Sequence, residues 1–146
     1  MASGFIVLGD GRCLAVHYPV YDAVLRSISC ALSQLDPLRG WLDTQLPGEV
    51  DVELGFAFVR LANGEQVLRY LDVRGLTDPN QTKFEDAALI AQPSAGPHAT
   101  FELVEVAISR LRDMIESRRA GASPLALSDW TTQPAEPVEK IGPGWE

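Results

Sequence analysis

The sequence predicts an α+β domain: an antiparallel sheet built from two β-hairpins, packed with about four helices, plus a Pro-rich C-terminal tail. Three observations predict it. Two pairs of apolar, strand-like runs are each joined by a short glycine-containing link. Several longer segments repeat apolar residues at three-four spacing. From Gly121 onward both periods stop, and Pro124, Pro134, Pro137 and Pro143 recur. The expected organisation is one domain over residues 1–120 and an extension over 121–146.

The first pair is "SGFIVL" and "RCLAVH", joined by Gly9-Asp10-Gly11. Asp-Gly between apolar runs favours a hairpin, because both residues tolerate positive φ. A phosphate-binding glycine loop would follow a strand and open into a helix. Here Arg12-Cys13-Leu14-Ala15-Val16 continues in an extended pattern, so the glycines read as a corner. Pro19 is expected to end the second strand. "VYDAVLRSISCALSQL" then puts Val20, Val24, Ile28, Ala31, Leu32 and Leu35 on one helical face.

Asp36-Pro37 reads as an N-cap followed by proline at the first helical position. The helix after it, "PLRGWLDTQL", is expected to turn Leu38, Trp41, Leu42 and Leu46 inward and to stop at Pro47-Gly48. "ELGFAFVRL" and "EQVLRYLDV" flank Ala62-Asn63-Gly64, the second predicted hairpin. Leu54, Phe56 and Phe58 share one face there; Gly55 and Ala57 leave the other face small, as where something packs against the backbone.

In "RGLTDPNQTKFEDAALIAQP", Thr77 or Asp78 caps a helix whose buried side is Phe84, Ala87, Ala88 and Ile90. A loop from Pro93 to Pro97 leads to the longest helix, "ATFELVEVAISRLRDMIESRR". Phe101, Val104, Ile108, Leu111 and Ile115 form its apolar stripe. Arg110, Arg112, Arg118 and Arg119 gather toward its C-terminal end, where cations favour the dipole. The tail carries Leu125, Leu127, Trp130, Ile141 and Trp145, apolar side chains with which to dock on the domain or on a partner.

The 146 residues are 46% hydrophobic, enough for a core, and no apolar run approaches the roughly 20 residues of a membrane span. The start lacks a basic n-region, so it does not read as a signal peptide, and a cytoplasmic location is expected. A formal charge of −8 argues against nucleic acid and against an anionic membrane surface. Cys13 and Cys30 are too few for a disulfide scaffold or a zinc site and read as buried thiols.

No cofactor or metal motif is present, and no Gly-x-Ser-x-Gly, HExxH or Walker sequence. Cys13 and His17 share a strand face but stand about 13 Å apart along it, too far to hydrogen-bond. Cys13 with His98, or Arg74 beside Asp72, are the remaining candidates for an enzyme; Asp72 and Arg74 read first as a surface ion pair.

Residues 40–59 are more informative. Asp43, Glu49, Asp51 and Glu53 stand there without a basic residue, beside Trp41, Leu42 and Leu46. An acidic patch with an aromatic anchor suits a basic protein partner. A solvated loop beside a core helix would look the same. Three function classes follow: a stoichiometric binding protein, a small enzyme, or an assembly subunit.

At "ELGFAFVRLANGEQVLRYLDVRGLTDPNQTKFEDAA", with the opening "GFIVLGDGRCLAVHYPVYDAVLRSI", the chain resembles small single-domain bacterial proteins. Some of these are similar to immunity proteins of polymorphic-toxin systems. The resemblance covers roughly residues 4–90, rests on layout, and carries over no functional residue. It implies neutralisation of a cognate toxin by tight binding in the cytoplasm, a non-enzymatic role; separately, the acidic surface suits a basic partner such as a nuclease domain.

Overall fold

The computed structural model describes residues 3–10, 13–44, 58–61, 66–67, 70–121, 131–132 and 137–141. The fold is α+β. Strands β1 (Ser3–Val7) and β2 (Cys13–His17) are antiparallel, with Val7 opposite Cys13 and Ser3 opposite His17. The Gly9-Asp10 turn therefore reverses the chain between two strands. No helix follows it to present amides to a phosphate. Gly11 and Arg12 lie outside the described residues.

The other sheet elements are β3 (Phe58–Leu61), β4 (Gln66–Val67), β5 (Tyr70–Asp72), β6 (Thr131–Thr132) and β7 (Pro137–Ile141). They correct the expected single sheet of two hairpins. The main sheet is mixed and runs β5-β1-β2-β6, with β5 parallel to β1. A separate sheet runs β4-β3-β7. The run "EQVLRYLDV" is thus shared between sheets: Val67 pairs with Val59, whereas Leu71 pairs with Ile6. A parallel neighbour needs a long crossover and leaves no turn signal nearby, so local pattern does not reveal it. The Asn63-Gly64 turn and residues 53–57 fall outside the described residues.

The tail shows no strand period in its sequence, yet two segments of it pair with distant strands. Cys13 stands opposite Thr132, and Phe58 opposite Ile141.

Among the described residues there are four helices: α1 (Tyr18–Cys30), α2 (Pro37–Thr44), α3 (Asp78–Ile90) and α4 (Phe101–Arg119). Pro19 sits in the first turn of α1, where its missing N–H costs nothing, and so opens a helix directly after β2. Asp36 Oδ1 accepts from Leu38 N–H at 3.0 Å at the start of α2, and Thr100 Oγ1 accepts from Leu103 N–H at 3.4 Å at the start of α4. Thr77 is the N-cap of α3.

Among the described elements, helix α1 touches β1, β2 and the other three helices. Its Val20, Val24 and Ile28 join Ile6, Leu14, Leu42, Phe84 and Leu111 in one core. Phe5, Val7 and Cys13 alternate with that set and are buried as well, so β1 is covered on both faces. Three expected core positions are not there. Leu35 follows the end of α1 and is 93% exposed; Ile90 and Phe101, at helix ends beyond the reach of the core, are 64% and 45% exposed.

No helix among the described residues is long and apolar enough to cross a membrane.

Candidate functional site

Helices α3 and α4 pack against each other and share a cluster of charged side chains. Glu85 projects from α3 into the helix pair and is only 2% exposed. A carboxylate so placed needs partners, because burial removes its water. Arg118 Nη1 donates to its Oε2 at 2.6 Å, and Arg119 Nε to its Oε1 at 3.0 Å. Arg119 Nη2 also reaches Asp86 Oδ1 at 2.8 Å. The bond to Asp86, then that to Glu85, raises the Arg119 pKa above the ordinary guanidinium value, against an opposing desolvation.

The guanidinium of Arg118 also lies near the β1–β2 corner. A Cβ built on Gly9 would fall 2.9 Å from Arg118 Nη2 and would strike Gln81 Oε1. Gln81 is itself held, donating to the Leu76 carbonyl at 3.0 Å. The β1–β2 corner is thus pressed onto α3 and α4. Both neighbours of Gly9 are the ends of flexible side chains that can move aside.

Toward the other end of the pair, Arg112 Nε donates to the Ala88 carbonyl at 3.1 Å, and its Nη2 donates to Ala91. These are carbonyls at the end of α3 that its own helix leaves unsatisfied. Arg112 also forms part of a groove of about 600 Å³. Gln92 and Pro93 form one wall; Phe101, Glu105, Val106 and Arg110 line the α4 side. Leu103 and Val106, 52% and 48% exposed, stand on the outer side of the same helix. Together with Phe101 and Ile90, they make α4 and its surroundings the richest in exposed large apolar side chains among the described residues.

Trp41 is half-buried against the core cluster, and Asp43 is exposed, its Oδ1 accepting from Ser29 Oγ at 3.0 Å. Glu49, Asp51, Glu53 and Leu46 lie outside the described residues. Cys13 is fully buried, whereas Cys30 is exposed at the end of α1, which corrects the reading of both thiols as buried. Its exposure follows from its place in the last turn, on the side away from the core residues Leu25 and Ile28. His17, the N-cap of α1, is exposed and makes no side-chain cap bond. His98 is exposed in a loop, at φ 62°.

Asp72 and Arg74 do form an ion pair, at 2.9 Å from Nε to Oδ1. Oδ1 also accepts from Arg74 N–H at 3.0 Å, so Asp72 caps the short 3-10 turn Val73–Gly75.

No three metal-ligating side chains converge among the described residues. Comparison with family models, curated proteins and solved structures finds no match. Glu85, Arg112 and the outer face of α4 escaped sequence reasoning. A glutamate between Phe84 and Ala87 reads as surface, and its partners are more than thirty residues away. Phe101 falls on the three-four apolar spacing of α4, whereas the exposed Leu103 and Val106 lie off that stripe.

Proposed function

We propose that this chain is a non-enzymatic protein-binding module of the immunity type, which neutralises a basic toxin domain by tight binding in the cytoplasm. The observation that carries the proposal is the surface of α4. Phe101, Leu103 and Val106 stay exposed on a helix whose other side fills the core, next to an open groove. Grouped exposed apolar side chains rimmed by polar ones mark interaction surfaces. Phe101, at the groove edge, has the size and rigidity of an interface anchor.

Charge supports the same reading. The chain carries −8 overall, which favours encounter with a cationic domain. Asp43 is exposed on α2, and the sequence continues with the acidic residues Glu49, Asp51 and Glu53, which suit a basic partner.

The test is co-expression with the C-terminal domain of a secreted protein encoded immediately upstream. Growth should be restored, and the purified proteins should form a stoichiometric complex. Phe101→Asp and Val106→Asp, both at exposed positions, should weaken the complex while leaving the far-UV spectrum and the melting temperature close to wild type. Unchanged protection and affinity in both variants would exclude α4 as the binding face. An absence of any complex would remove the antidote reading.

A further inference from the structure

We propose that one edge of β3 is a strand-acceptor site, that the protein fills it in cis with its own C-terminal strand β7, and that the separate sheet β4-β3-β7 folds only while the site is filled. The ligand class is an extended peptide, added through backbone hydrogen bonds. This goes beyond the reading of α4 as a binding face and does not depend on it.

The strand pairing carries the argument. Strand β3 is the central strand of its sheet. On one side, among the described residues, β4 pairs with Val59 and Arg60 alone. On the other side β7 pairs along the whole of β3. Ile141 stands opposite Phe58, Lys140 opposite Val59, Glu139 opposite Arg60 and Pro137 opposite Leu61, with a bulge at the last step. Most of the pairing of β3 thus comes from the far end of the sequence.

Without β7, the described remainder of this sheet is the β3–β4 pair. A two-stranded hairpin is marginal in water, and a third strand or a packed neighbour is needed for independent stability. Among the described elements, β3, β4 and β7 make their main contacts with one another, so the helices offer little to replace the third strand. The core around α1 draws instead on β1, β2, β5 and helices α1–α4.

The tail is tethered next to the site. Strand β6 pairs with β2, Thr132 opposite Cys13 and Thr131 opposite Leu14, and residues 133–136 alone separate β6 from β7. A short tether gives β7 a high effective concentration at β3. Prolines bracket the added strand. Pro137 is its first residue, where a missing N–H is tolerated, and Pro143 follows shortly after Ile141. Strand addition reads the backbone, so the site also accepts an extended peptide in trans, with an acidic residue opposite Arg60 and an apolar one opposite Phe58 favouring the register.

Hydrogen exchange of the full chain, followed by mass spectrometry, tests this. Glu139→Pro and Lys140→Pro are made together, because one of two successive strand residues turns its N–H toward the partner strand. In the double variant β3 and β4 should exchange about tenfold faster or more, while β1 and α1 stay protected as in wild type. A synthetic peptide of residues 131–142, at millimolar concentration, should restore the protection of β3; the same peptide carrying both prolines should not. Wild type, whose own strand fills the site, should bind the labelled peptide about tenfold more weakly or less than the double variant does.

Unchanged protection of β3 in the double variant overturns the inference, because the sheet then stands without β7. Loss of protection in β1 and α1 together with β3 overturns it too, since the two sheets then unfold as one unit. So does a peptide that fails to restore β3, or one that wild type binds as tightly as the variant. The antidote reading is untouched by these outcomes, since it stands or falls on α4.

Discussion

The Tyr21 ring lies so close to Gly4 that a Cβ on Gly4 would fall 2.6 Å from Tyr21 Cδ2 and 2.7 Å from Cγ. Tyr21 is fully buried in the core, so its ring has nowhere to retreat. Gly4→Ala should therefore lower stability by about 1–3 kcal/mol, the usual penalty for overpacking. Chemical denaturation of the variant measures this directly. A midpoint equal to wild type would mean that α1 can slide away from β1.

Glu85 is expected to be the polar residue whose loss costs most. Glu85→Ala leaves Arg118 and Arg119 facing each other across a site built for a carboxylate. Breaking a fully buried pair costs more, but these arginines are 29% and 37% exposed and water compensates them in part. The expected loss is about 1–3 kcal/mol. Arg119 fixes the sign of the alkaline dependence. Its folded pKa is raised, so its contribution is complete below the unfolded value and is lost only as pH climbs through the folded one, in strong alkali. Thermal melts between neutral pH and moderate alkali should show no loss from this group.

His98 occupies the third position of the turn Gly96-Pro97-His98-Ala99, closed by hydrogen bonds of 3.0 Å in both directions between Gly96 and Ala99. Proline followed by a residue of positive φ is the type II arrangement. Glycine prefers this conformation and β-branched residues resist it. The expected order of stability is His98→Gly at or above wild type, with His98→Val below it by about 1–2 kcal/mol. If valine were tolerated at no cost, the turn would have to adopt another form.

Trp41 and the acidic stretch separate stability from binding. Trp41 packs on the core, so Trp41→Ala should lower the melting temperature, by an amount corresponding to about 1–3 kcal/mol for a half-buried ring. Charge reversal at Asp51 and Glu53 should instead slow association with a basic toxin domain, more at low salt than at high salt. Stopped-flow mixing at two ionic strengths reads this rate. Equal rates at both would exclude the stretch from the association step.

Helices were legible in the sequence because their signals are local. Asp36-Pro37 starts α2 by a side-chain bond two residues long, and Val20, Val24 and Ile28 declare the buried face of α1 by spacing alone. The same spacing overreached at Leu35, Ile90 and Phe101. Period says which side of a helix is apolar, but not where the core ends beneath it. The candidate site was less legible. The spacing of α2 turns Trp41 inward, and it does pack against the core, whereas the spacing of α4 places Phe101 in the core and the structure places it on a groove.

The amino-acid order by itself determined the α+β class, the helix starts, the reversal at Gly9-Asp10 and the acidic balance, since each depends on neighbours in the chain or on composition. Only the tertiary structure decided that β5 lies parallel to β1, that Glu85 is buried between two arginines, and that Leu103 and Val106 remain exposed. Each of these depends on which residues, remote in sequence, come to share a surface. The free energy of burial is set by that shared surface, and no spacing along the chain encodes it.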